Sequence, residues 1–296
     1  MRAQAPGKVV LSGAYAVLDG APAIVAAVDR YAVADSARAP DFVSEEVRAA
    51  LGDRPAPFVD ARALRQGSRK LGLGSSAAIL VASLAALELE REPELSHGEL
   101  VERVIDRALV AHARAQGGGS GIDVAASAYG GVILARRVAA GLEVSSLSLP
   151  PGLRIGVFAL GESASTPGLI ARVRAFESAE PARFERLMAV QAEAAERAAR
   201  ALERADAPLL LRALGDQGRA LGELGRAAGA PIVTPELEVL ARHAETLGAA
   251  VLPAGAGGGD IALWVTLDGV AALPAELPGF EALALSLGAP GVCRLG

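Results

Sequence analysis

The residues of this chain that could do chemistry sit at the edges of glycine-rich turns. The clearest case is K-L-G-L-G-S-S-A-A-I-L-V-A-S-L-A-A-L, from Lys70 to Leu87, where a glycine-punctuated turn opens directly onto an apolar helix. Gly72 and Gly74 permit close backbone approach, and the first N–H groups of a helix have no partners inside it and point outward. One reading of such a turn is an anion cradle, with phosphate as the obvious guest. The other is an ordinary loop in which Ser75 or Ser76 caps the helix through its hydroxyl. Two further glycine turns carry polar side chains: G-G-G-S-G-I-D from Gly117 to Asp123, and L-P-A-G-A-G-G-G-D from Leu252 to Asp260.

Other chemistries are poorly supplied. Cys293 is the sole cysteine, which excludes an intrachain disulfide and a cysteine-based metal site, and His97, His112 and His243 are too few for an expected zinc centre. Lysine and arginine total 29 against 34 acidic residues, a net charge of −5, with the arginines dispersed. That balance disfavours nucleic-acid and anionic-membrane partners while leaving room for one local anion site. The longest apolar stretch, Ala77 to Leu87, falls well short of the ~20 residues that span a bilayer. Pro6, Gly7 and Lys8 interrupt any secretory apolar region, so the expected location is cytoplasmic.

Stepping outward to the elements that must hold these turns, 296 residues with 52% hydrophobic content can build one large domain or two medium ones on aliphatic cores. Val9 to Gly20 reads as strand, turn, then strand or short helix, and Ala23 to Val28 as a second β-rich run. Residues 40–57 are polar and proline-flanked, and Phe58 to Leu64 suits a strand leading to the glycine turn. At Ser96 the pattern S-H-G-E predicts a capping box, opening a helix with Val101, Val104, Ile105, Ala108 and Leu109 on one face. A short helix after Gly121 should stop at Gly130 and Gly131 and give way to a strand. Leu149, Pro150, Pro151 and Gly152 resemble a linker, so the domains are expected at 1–150 and 151–296. Pro181 to Gly229 is helical in pattern, Pro235 to Gly248 has proline near its start and glycine at its end, and a strand pair should close the chain.

The three turns, together with A-P-G-K-V-V-L-S-G-A-Y-A-V-L-D-G near the N-terminus, resemble in order and spacing the motifs of the GHMP small-molecule kinases, over nearly the whole chain. Within that family Val110 to Gly131 is most similar to the phosphomevalonate kinases, as are G-A-Y-A-V-L (Gly13 to Leu18) and G-E-S-A-S-T (Gly161 to Thr166). The resemblance implies an α+β, two-domain fold: an N-terminal domain like domain 2 of ribosomal protein S5 and a ferredoxin-like C-terminal domain, with the site in the cleft between. It implies ATP-dependent phosphorylation of 5-phosphomevalonate to 5-diphosphomevalonate, a step of isoprenoid precursor synthesis. The alternatives are a mevalonate kinase or other small-molecule kinase, and a non-catalytic binding protein of the same fold.

The same resemblance assigns residues. Gly72, Leu73, Gly74, Ser75, Ser76 and Ala77 match the ATP phosphate loop, and Ser76 matches the serine that holds Mg2+ in relatives. Asp123 matches the catalytic aspartate and Lys8 a lysine of the first motif, able to neutralise charge on the transferring group. Lys70, Ser120, Gly121, Ser165, Thr166, Gly257 and Gly258 are expected on the substrate side. Where mevalonate kinases carry a glutamate magnesium ligand, this chain has His112, which its helical spacing predicts to be a buried structural histidine. The expected partners are small molecules alone, with the oligomeric state open between monomer and homodimer.

Overall fold

The structure is a computed structural model that describes every residue except Ser68, 161–165, Asp260, Glu276 and Pro278; for Gln66, Arg69, Leu160, Thr166 and Pro167 it describes the backbone alone. The chain opens with two long antiparallel strands, β1 (Arg2–Ser12) and β2 (Ala23–Asp35), joined through a 3-10 turn at Ala16–Asp19. A bulge between Pro6 and Gly7 bends β1 immediately before Lys8. The polar segment then forms a short helix, α1 (Glu45–Leu51), because Ser44 accepts a hydrogen bond from the Val47 amide and caps it. The strand expected over Phe58 to Leu64 forms for three residues, β3 (Phe58–Asp60), before a 3-10 turn at Arg62–Leu64 and a two-residue hairpin, β4 (Arg65–Gln66) and β5 (Arg69–Lys70).

Three helices follow: α2 (Ser75–Arg91), α3 (His97–Gln116) and α4 (Ile122–Tyr129). The buried positions of α2 include Ala77, Ala78, Ala82, Ala85 and Ala86, small enough to let the helix lie close on β1 and β2. The capping box predicted at Ser96 is present, with Ser96 and Glu99 bonded reciprocally, and Gly130 ends α4 as expected. Strands β6 (Val132–Val138) and β7 (Gly141–Leu147) complete this half.

After Gly152 come β8 (Leu153–Leu160) and α5 (Thr166–Ala179). The long helical pattern divides into α6 (Pro181–Glu203) and α7 (Ala207–Ala227), because Ala205 turns at φ 51° and Asp206 caps the second helix through the Leu209 amide. Then follow α8 (Pro235–Thr246), β9 (Ala250–Pro253), β10 (Ile261–Leu267), β11 (Phe280–Ala282) and β12 (Cys293–Arg294). The expected closing strand pair exists as β9 with β10, but the later strands part company. Among the described residues one sheet runs β12-β1-β2-β6-β7 with β3 also on β2, and a second runs β11-β8-β10-β9. The architecture is thus α+β. We propose the domain division at residue 150, between β7 and β8, with the last strand returning across it to pair Ala3 with Arg294.

That return is sealed by glycines in contact. A Cβ on Gly130, which sits at φ +71°, would collide with the backbone of Gly291, while the Gly131 amide bonds the Ala289 carbonyl at 2.8 Å. Gly130→Ala therefore forces the tail off α4 and β6, and a loss of about 2–4 kcal/mol is expected in denaturant unfolding. A midpoint equal to that of the unaltered protein would show that the tail contributes little to the first sheet.

Candidate active site

Leu71 and Leu73, each 1% exposed, anchor the glycine turn in the core, and Gly72 and Gly74 take left-handed φ values of +70° and +73°. Gly74 itself begins α2, and no side chain caps the helix. Ser75 and Ser76 lie inside the first turn rather than at the cap, so the opening amides are left for an outside partner, as an anion cradle requires. The Lys8 amide donates to the Leu73 carbonyl at 2.8 Å, tying β1 to the turn. The Lys8 side chain then runs over Gly74: an added Cβ there would lie 2.8 Å from Lys8 Cε and 3.0 Å from Cγ. The bare glycine is what lets an ammonium stem lie against the loop.

Asp123 comes to the same region by another route. Gly121, at φ +78°, starts α4, so Asp123 is not the cap but a first-turn residue, where the helix dipole favours its charge. Its Oδ1 accepts from the Val124 amide at 3.0 Å, and its Oδ2 lies 3.4 Å from His112 Nε2. His112 is buried, as its spacing predicts, yet this nitrogen is outside hydrogen-bond geometry with any described residue. The ring therefore backs the carboxylate rather than simply filling the core. Ser127 Oγ donates to the Pro6 carbonyl at 2.8 Å, a buried bond that holds α4 to β1 two residues from Lys8.

The third turn is drawn in by Tyr15. This residue is strained, at φ 62° and ψ −55°, and its hydroxyl donates to the Ala256 carbonyl at 2.8 Å. Burial pushes the phenol pKa well up, so it acts as a neutral donor. Gly257 and Gly258 are buried, the Gly258 amide is given to the Ile232 carbonyl at 3.1 Å, and a Cβ on Gly257 would collide with that same carbonyl. Their part is to hold the loop's course. Nearby, Gln217 of α7 accepts from Ser12 Oγ at 2.6 Å and the Gly13 amide at 3.0 Å, joining the two halves of the molecule.

The other expected substrate-side residues are less engaged. Lys70 is exposed on the hairpin before the loop, and Ser120 is half-buried in the turn before α4. Ser165 lies outside the described residues, and Thr166 opens α5 with its side chain likewise outside them.

One residue of this site was not expected from the sequence. Glu46, in the first turn of α1, is 8% exposed and accepts from Gln116 Nε2 at 3.4 Å. Burial alone would raise its pKa; the polar groups around it, its own amide and the Gln116 side chain among them, outweigh that and hold the carboxyl below its usual range. Ser44 followed by two glutamates was the available signal for a capped helix, but nothing in the sequence showed that the second of them would be buried against Gln116.

Comparisons with known proteins agree with this geometry. The family description GHMP kinases N terminal domain matches residues 45–131, a span holding α1, the glycine turn and Asp123. A phosphomevalonate kinase of Streptomyces sp. (strain CL190) is 32% identical over 92% of this chain and 89% of its own length. The chain belongs to the GHMP kinase family. Its fold is the two-domain α+β GHMP kinase fold, and it is a kinase homologous to phosphomevalonate kinase along most of its length. Among solved structures, a Lin0012 protein from Listeria innocua superposes with a TM-score of 0.80 at 24% identity, covering 99% of this chain and 100% of that one. Streptococcus pneumoniae phosphomevalonate kinase in complex with phosphomevalonate and AMPPNP superposes with a TM-score of 0.75 at 19% identity, covering 97% and 99%. Among the described residues, no helix of this GHMP kinase is long and apolar enough to cross a membrane.

Proposed function

We propose that the chain transfers the γ-phosphoryl group of ATP to 5-phosphomevalonate, giving ADP and 5-diphosphomevalonate. The observation that carries this reading is the uncapped start of α2 with the Lys8 stem laid across Gly74, a cationic phosphate cradle on the strand to which α4 is bonded. An acceptor phosphate oxygen attacks the γ-phosphorus as the bond to the β,γ-bridging oxygen breaks, and ADP leaves with the electron pair. Asp123 holds the acceptor and any proton it carries; Lys8 and the amides of residues 74–77 meet the charge that develops. Lys70, Ser120 and Gly121 supply the acceptor side.

The groove between α1, β3 and α2, lined by Val43, Ser44, Val47, Ile79 and Ser83, suits the nucleotide base, and the Ser83 hydroxyl there is buried without a partner among the described residues. The donors beside the cradle are hard oxygens, and among the described residues no cluster of three or more His, Cys, Asp or Glu could hold a metal alone. This fits Mg2+ arriving with ATP, with Ser76 as the protein's ligand. When bound it would neutralise the polyphosphate.

An acceptor phosphate carries about −1.5 to −2 charges at pH 7, a load for Lys8, Lys70 and the turn amides to meet together. A coupled ADP-release assay over 5-phosphomevalonate, mevalonate, homoserine and galactose is expected to show strong preference for the first. Faster phosphorylation of mevalonate would move the protein to the mevalonate kinases, and no turnover with any acceptor would leave a binding protein of this fold.

A further inference from the structure

We propose that the groove between α7 and α8, over the open edge of β9, binds a zwitterionic α-amino acid with an aliphatic side chain. The inference is independent of the reaction proposed above, since no residue lining the groove belongs to the candidate active site. Leu252 of β9 shares a core with Leu210 and Leu214 of α7, and Val251 shares one with Leu237 and Ala244 of α8. Neighbouring residues of a strand point to opposite faces, so the two helices clasp this edge strand from both sides. The space between them has a volume of about 290 Å3. Ion pairs close it at both ends, Arg219 to Glu245 and Arg226 to Glu238, each at 2.5 Å. On either helix the two partners are two turns apart, 219 to 226 and 238 to 245, so the closures stand about 10 Å from each other. Midway between them Gly222 leaves the wall of α7 bare: an added Cβ would meet Arg226 Nη1 at 3.5 Å and nothing else nearer than 3.9 Å.

The groups facing this space select the ligand. The Ala254 amide bonds the Ile261 carbonyl at 3.0 Å, and by the alternation of an antiparallel ladder Val251 then turns its N–H and C=O away from β10, out of the sheet edge. Its carbonyl faces Gly218, where an added Cβ would lie 3.1 Å from it. Val251 is 5% exposed, no described residue accepts its N–H, and a buried amide of that kind calls for a partner. Two of the lining side chains are likewise uncommitted: Glu223 and Arg242 form no hydrogen bond or ion pair with any described residue, each other included. Three arginines and three glutamates line the space, which is therefore neutral as a whole. A polyanion would meet the glutamates and a simple amine the arginines, whereas a molecule with one charge of each sign answers both. Its carboxylate takes Arg242, with the Val251 amide as a further donor, and its ammonium takes Glu223. The aliphatic side chain lies on Val233, Ala241 and Ala250, and the volume, at the small end for a ligand pocket, suits a single amino acid.

The test is calorimetric titration of the whole protein with L-leucine and L-valine, and with leucinamide and N-acetyl-L-leucine, which lack the carboxylate and the ammonium respectively. The two amino acids are expected to bind with a Kd of about 1 mM or tighter, and the two blocked compounds at least about 10-fold more weakly. Arg242→Gln and Glu223→Gln, both at exposed positions, are each expected to weaken leucine by about 10-fold. Gly222→Leu fills the space from a helical position where leucine is the better helix former, and it is expected to abolish binding. Absence of binding by both amino acids up to about 10 mM overturns the proposal, and so does equal affinity for the blocked compounds. Leucine bound as tightly by Gly222→Leu as by the unaltered protein places it elsewhere and overturns the proposal too. If Gly222→Leu does not fold, the two charge variants decide, and unchanged leucine affinity in both is the overturning result. None of these outcomes bears on phosphoryl transfer, which the ADP-release assay reads separately.

Discussion

Asp123→Asn is expected to lower turnover of 5-phosphomevalonate by about 10²–10⁴-fold, the range for loss of a positioned acid or base. Asparagine keeps the shape, and it keeps an oxygen for the Val124 amide that now bonds Oδ1 at 3.0 Å. What it loses is the charge on Oδ2, the atom facing His112 Nε2 at 3.4 Å, and with it the means of holding the acceptor's proton. Folding should change little, because the Asp123 side chain is 24% exposed and α4 is held by the Ser127–Pro6 bond rather than by this carboxylate. The measurement pairs ADP release with AMPPNP affinity. Turnover within a fewfold of the original, in a protein that still melts normally, would remove Asp123 from the reaction.

Gly74→Val is expected to abolish detectable nucleotide binding. Two costs combine. The residue sits at φ +73°, where a non-glycine side chain pays about 1–2 kcal/mol and a β-branched one more. Its Cβ would also lie 2.8 Å from Lys8 Cε, so the lysine must leave the loop, and the added methyl groups cover the amides that should face the phosphates. The strain is separable from the site, because Gly269 adopts φ +75° with open space where a Cβ would go. Gly269→Val should suffer the backbone penalty and still bind AMPPNP. Equal nucleotide affinity in Gly74→Val and unaltered protein would return the turn to the status of an ordinary loop.

Much of this site was legible in the sequence because its parts are local. A glycine turn ahead of an apolar run announces a helix start, with a Ser75 or Ser76 cap left open, and the start of α2 needs only φ values that Gly72 and Gly74 supply. The capping box at Ser96 and the stop at Gly130 are likewise written within a few residues. What escaped depends on contacts between distant segments. Residues 45–51 lie in a stretch that read only as polar and proline-flanked, because seven residues are too few to show a period, and the meeting of Glu46 with Gln116 spans two helices. The break between α6 and α7 hides because the residues on both sides are good helix formers and the decisive event, the cap at Asp206, is one side chain. Tyr15 gives no sequence sign of its strain, which exists because Ala256 and the packed core around the ring hold it there.

The place of β12 bears on how the molecule is made. Strand β1 is synthesised long before its outer neighbour at Cys293 and Arg294. The Leu295 amide bonds the Arg2 carbonyl at 2.9 Å, and β12 reaches β1 after all the helices and the second sheet have been synthesised. A nascent chain therefore carries an open sheet edge, the Ala3–Gln4 flank of β1, until β12 has been translated. Contacts of such long sequence separation slow folding and prolong the interval in which that edge can pair with another chain. The sheet around the strand holding Lys8 is thus complete only after β12 has been made.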